Sequence, residues 1–78
     1  MTRQELAKKA LQSEGFMSAK DIPAHSLGDF PQRNRQIVQE AIFEGRSLVE
    51  VGKRAGLSRE RVRTVSLKAT RLTIGRYE

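Results

Sequence analysis

Between Arg59 and Thr64 the chain reads Arg-Glu-Arg-Val-Arg-Thr. Arginine can fork onto O6 and N7 of guanine, glutamate can accept from the N4 amine of cytosine, and threonine offers a hydroxyl or a methyl. On a helix turning about 100° per residue, Val62, Val65, Ala69 and Leu72 share one narrow arc, which is expected to face the core. Opposite them lie Glu60, Arg63, Thr64, Leu67 and Arg71, with Arg59 at one edge and Arg61 and Lys68 on the other flank. A helix that only adheres to phosphates gains nothing from the carboxylate of Glu60. The mixture of types therefore points to base edges as well as to charge.

Something must hold that helix in place. Ser58 is of the type that caps a helix start, and Gly56 permits a left-handed turn just before it. Gly52 removes a side chain where two helix axes approach, and Leu57 is expected to plug the corner between them. Ser47 and Glu50 have capping-box spacing and open the preceding short helix, with Leu48, Val51 and Ala55 facing inward. Turn, cap and two apolar stripes agree within one window, which predicts a helix-turn-helix. Upstream, Pro31 suits the first turn of another helix whose buried stripe is Ile37, Val38, Ala41 and Ile42, with Gly45 as its stop. Thr2 with Glu5 caps a first helix that should end near Glu14, with Gly15 behind it. Ser18 could cap a single turn through Ile22, Pro23 stops it, and the rest up to Phe30 reads as a connection. At the far end, "LTIGRYE" reads as a short extended tail. The expectation is one all-α domain of four to five helices over 1–78, with 1–30 as an N-terminal helix and connection and 31–74 as the DNA-binding core.

Charge separates the same two parts. The chain carries fifteen Lys and Arg against nine Asp and Glu, a net +6. Residues 1–30 are balanced, with Arg3, Lys8, Lys9 and Lys20 against Glu5, Glu14, Asp21 and Asp29, so the whole excess lies in 31–78. From Arg46 to Arg76 nine basic residues face only Glu50 and Glu60, a concentration that suits a polyanion. Cysteine is absent, so disulfides and thiolate metal sites are excluded. His25, the one histidine, has no ligand set around it, and no paired carboxylates, nucleophile elbow or glycine-rich phosphate loop occurs. No enzyme, metal or cofactor is expected. With no signal peptide and no bilayer-length apolar stretch, the protein is expected to be cytoplasmic, without a membrane partner.

The segment "SLVEVGKRAGLSRERVRTVSLKATRL" resembles the promoter-reading region 4 of bacterial sigma factors, and "PQRNRQIVQEAIFEGRS" looks like the helix before it. The resemblance covers about residues 31–72. It implies a helix-turn-helix partnered with double-stranded DNA, in which Arg59, Glu60 and Thr64 contact bases and Arg63 adds a further contact. Thr64 departs from the glutamine usual in the family and is too short for a bidentate adenine contact, so a different DNA element is expected. Residues 1–30 have no counterpart of the regions that bind core polymerase or melt a promoter. A sigma-like domain on so short a chain resembles compact plasmid or phage repressors such as the KorA/TrfB group, through the helix-turn-helix alone. The backbone contacts expected are Arg46, Ser47, Lys53, Arg54, Ser58, Arg61, Lys68 and Arg71, with Arg33 or Arg35 as additions; the alternative for Arg54 and Arg61 is a solvated side chain or a pair within the helix. One helix-turn-helix buries little surface, so a homodimer on two half-sites about one helical turn apart is expected. Helix 1 (Leu6 and Leu11, with Phe16 and Met17) competes as its interface with the C-terminal end (Leu67, Ile74 and Tyr77). The contrasting expectation is an interaction module that contacts RNA polymerase or another factor without reading DNA.

Overall fold

A computed structural model describes residues 1–75. Helix α1 (Arg3–Ser13) starts where expected, with the Thr2 hydroxyl accepting from the Glu5 amide and the Glu5 carboxylate accepting from the Thr2 amide. Two 3₁₀ turns follow, Ala19–Asp21 and Ala24–Leu27. The first is tied down by the Asp21 carboxylate, which accepts from the Met17 and Ser18 amides. The second occupies what the sequence presents as plain connection, and it buries Leu27 and Ser26.

Helix α2 (Pro31–Val38) carries its proline in the first turn and runs on into a π-helical turn, Gln39–Phe43. The wide turn is closed by the Glu44 amide donating to the Gln39 carbonyl at 2.8 Å. All four residues from Glu40 to Phe43 are buried, because α1, α3 and α4 each pack on this turn. Helix α3 (Leu48–Ala55) and helix α4 (Arg59–Ile74) complete the domain, and no strand occurs among the described residues.

The core has two lobes that meet along α2. In one, Ile37 and Ala41 pack with Val51 of α3 and Val62 of α4, bordered by Leu48, Leu57 and Val65. In the other, Ala7 and Leu11 of α1 meet Val38, Ile42, Leu67 and Ala69. Burial of these side chains supplies the main favourable term, about 1.5–3 kcal/mol for each large aliphatic one.

Helix α4 shows where the wheel reading fails. Its first half does bury Val62, and Val65 is half-buried, against α3. In its second half the buried positions are Ser66, Leu67, Ala69 and Thr70, while Leu72 is 44% exposed. The physical reason is a change of neighbour. α3 covers the beginning of α4, and α1 then covers the flank that carries Leu67. Ser66 and Thr70 go inside because their hydroxyls donate to the carbonyls of Arg63 and Ser66, at 3.0 Å each.

This corrects the expected dimer surface. Leu11 and Leu67 are 0% and 1% exposed within a single chain, so neither has surface to offer a partner. Ile74 is partly buried against the same lobe. Phe16 is partly buried there too, whereas Leu6 and Met17 are open at 41% and 65%, and Tyr77 lies outside the described residues. Nor does the chain turn extended at Leu72: α4 continues to Ile74 and is closed by Gly75, and the rest of the expected tail, 76–78, lies outside the described residues.

Candidate nucleic-acid interface

The turn between α3 and α4 is set by two glycines with different tasks. Gly56 sits at φ 71°, ψ 33°, a left-handed position that a Cβ disfavours. Gly52 has ordinary helical backbone, but a Cβ there would stand 2.5 Å from the Leu57 carbonyl oxygen. The turn therefore touches α3 backbone to backbone, and the Leu57 amide donates to the Gly52 carbonyl at 2.9 Å. Ser58 then caps α4, its hydroxyl oxygen accepting from the Arg61 amide at 3.2 Å. Ser47 does the same for α3 through the Glu50 amide at 3.1 Å. Both serines expected at the DNA backbone thus already have their oxygens engaged in capping.

With Val62 pinned inside, the first turns of α4 project Arg59, Glu60, Arg61 and Thr64, all exposed. Arg63 is half-buried and bends toward Glu60, giving an ion pair of 2.7 Å across one helical turn. That hydrogen bond, with the charge of Arg63 and then Arg59, holds the Glu60 carboxyl below its usual range, so it is ionised at neutral pH. The four positions expected to read bases are therefore together, three of them outward and the fourth coupled to Glu60.

The expected backbone contacts divide into two groups. Lys53, Arg61 and Lys68 are exposed and Arg71 is half-buried, and none has an ion pair among the described residues. Arg46 pairs with Glu44 at 2.9 Å and more loosely with Glu50 at 3.4 Å. Arg54 reaches back to the buried carboxylate of Glu40 at 3.0 Å, which also accepts from the Gln36 side chain. Burial alone would raise the Glu40 carboxyl, but the Gln36 hydrogen bond, and then Arg54, bring it below its ordinary value. Arg35 donates to the carbonyls of Ala19 and Ile22, tying the first 3₁₀ turn to α2. Arg33 lies 4.5 Å from the centroid of the Phe30 ring. Arg54 and Arg35 thus have structural duties that a count of basic residues does not reveal.

On the surface, α4 forms a ridge between two depressions. One, about 320 Å³, lies toward the start of α2, with Arg33, Arg61 and Phe30 among its lining residues. The other, about 350 Å³, lies toward the start of α1 and is lined by Arg3, Arg63, Leu67 and Arg71. Thr64 and Lys68 line both, so they stand on the ridge itself. A major groove about 12 Å wide admits one helix with a sugar–phosphate strand along each side. Arg3 escapes the sequence reading because its neighbours on α4 lie some sixty positions along the chain; only the packing of α1 brings them together.

Among the described residues no group of three or more His, Asp or Glu could hold a metal ion. No helix there is long and apolar enough to cross a membrane. A capped helix behind a glycine turn, presenting arginine, glutamate and threonine outward from an all-α core, defines a helix-turn-helix domain of DNA-binding type. The family model for sigma-70, region 4 matches residues 26–71, and the chain belongs to that family. No curated protein and no solved structure matches the chain. The matched segment starts inside the second 3₁₀ turn and stops within α4, so α1 lies outside it.

Proposed function

We propose that the protein is a sequence-specific transcriptional regulator, a repressor of the compact plasmid or phage type, that inserts α4 into the major groove. The observation that carries this reading is Glu60: an ionised carboxylate, 65% exposed, set among cations on the outward first turn of α4. The start of α4 and the pair with Arg63 favour an acid there for the helix itself. Facing a groove, the same carboxylate repels phosphate and is the right group for accepting from a cytosine amine. Arg59 and Thr64 read beside it, and Arg63 reads or orients Glu60 through their shared bond. Lys53, Arg61, Lys68 and Arg71 contact the backbone, which gives affinity without sequence preference.

Specificity from one short helix is limited, so the working form is a homodimer on a palindromic operator with half-sites about one helical turn apart. Among the described residues, Leu6 and Met17 are the positions of the expected dimer surface that stay open in the chain. Selection of bound sites from random DNA, together with sedimentation at the binding concentration, tests the reading. A palindromic enriched site bound by two copies supports it. Absence of any enriched site would instead favour a domain that docks on RNA polymerase or another factor.

A further inference from the structure

We propose that α1 is part of the DNA-binding surface: Arg3 contacts a backbone phosphate on the strand that runs along the α1 side of α4. The inference rests on the DNA-binding reading and extends it beyond the family-matched segment, which excludes α1.

Three observations converge on Arg3. It sits in the first turn of α1, and the reciprocal Thr2–Glu5 bonds fix that turn instead of leaving it to fray. Ala7 and Leu11, both fully buried, clamp the same helix to the lobe that holds Leu67. Arg3 is therefore presented by a rigid element.

The depression it borders is lined by four cations, Arg3, Arg63, Lys68 and Arg71, and by no carboxylate. Glu5, the acidic residue of the same turn, lines a different depression with Arg46 and Leu48. Glu60 pairs with Arg63 alone, and Arg3, Lys68 and Arg71 have no ion pair among the described residues. Gathering like charges around one trough raises the energy of the free protein, and a polyanion laid in it reverses that effect.

The third observation is that Arg3 stands at the wrong end of its helix. A cation in the first turn is repelled by the positive end of the helix dipole, where acidic residues are favoured. Stability of α1 does not ask for arginine there, whereas a phosphate would. Because Thr64 and Lys68 form the ridge between the two depressions, Arg3 lies across the ridge from Arg33 and Arg61. One phosphate strand is then held on each side of α4.

The test is DNA affinity of the full chain measured across a range of salt, on the site obtained by selection and on a scrambled duplex. Arg3→Gln is compared with Lys9→Gln, which removes the same charge from an exposed position of α1 outside the trough. Arg3→Gln is expected to weaken both duplexes by the same factor and to lower the slope of log K against log salt by about 0.9, the value of one phosphate contact. Arg3→Lys should keep the slope, and Lys9→Gln should leave it unchanged. All three substitutions are at exposed side chains, and unfolding midpoints no lower than that of the unsubstituted protein confirm that the fold is intact. If Arg3→Gln keeps the slope of the unsubstituted protein while the selected site is still preferred, α1 is not part of the surface and the regulator reading stands. If Lys9→Gln lowers the slope as much as Arg3→Gln, the effect is one of total charge and the assignment of Arg3 is overturned. If the unsubstituted protein shows no site preference, the regulator reading and this extension fall together.

Discussion

Arg54 and Glu40 show how a cation of the basic segment can be used inside the fold. Arg54 reads in the sequence as one more cation for the DNA backbone, yet its guanidinium serves a carboxylate buried in the π-helical turn. Arg54→Gln should destabilise the fold by about 1–3 kcal/mol in urea unfolding at neutral pH, since a buried charge loses its cation; the exposed half of Arg54 keeps the loss moderate. The salt slope of DNA binding should not change, in contrast to Lys53→Gln or Lys68→Gln. The pH dependence follows from the same group. Glu40 is held below its ordinary value of 4.5, so its contribution to stability is fully present above that value and is lost as pH falls through the folded-state value. Glu40→Gln should therefore lose stability less steeply than the unsubstituted protein on acidification below 4.5, measured by unfolding at a series of pH values. Nothing in the sequence marks Glu40 as buried, because one partner lies four residues before it, across the start of a π turn, and the other fourteen residues after it on a separate helix, α3.

At the scale of elements, the helix-turn-helix was legible because its demands are local. Gly52, Gly56, Leu57 and Ser58 each answer a constraint that falls within a few residues, and each behaves in the structure as the sequence implies. The two glycines should nevertheless fail differently. Gly52→Ala forces a Cβ against the Leu57 carbonyl and should cost about 1–3 kcal/mol through displaced backbone. Gly56→Ala meets nothing within 4 Å, so its cost, about 1–2 kcal/mol, is the conformational strain of positive φ alone. Gly56→Asn should recover part of that loss, and Gly52→Asn should recover none, as denaturant midpoints will show. The second half of α4 was not legible, since its buried face is set by α1 from the far end of the chain and is marked by Ser66 and Thr70, which look polar. Leu67→Ala should accordingly cost about 2–5 kcal/mol. The loss should be independent of protein concentration, because Leu67 packs within one chain and not between two.

For the whole molecule, charge was read correctly in amount and incompletely in place. The first thirty residues are neutral in sum, yet the trough beside α4 borrows Arg3 from them, while Arg35, Arg46 and Arg54 of the basic part are engaged internally. What remains is a ridge with Glu60 and Thr64 near its leading end and, along its two sides, Arg61 and Arg3 with Arg71, which have no ion pair among the described residues. The most direct test of the central claim, that this ridge reads bases, is a ranking of single-base variants of the selected site by the unsubstituted protein and by Glu60→Ala. The account predicts that discrimination worth roughly 1–3 kcal/mol disappears at one base pair and that the other positions keep their order. An unchanged ranking at every position would contradict it.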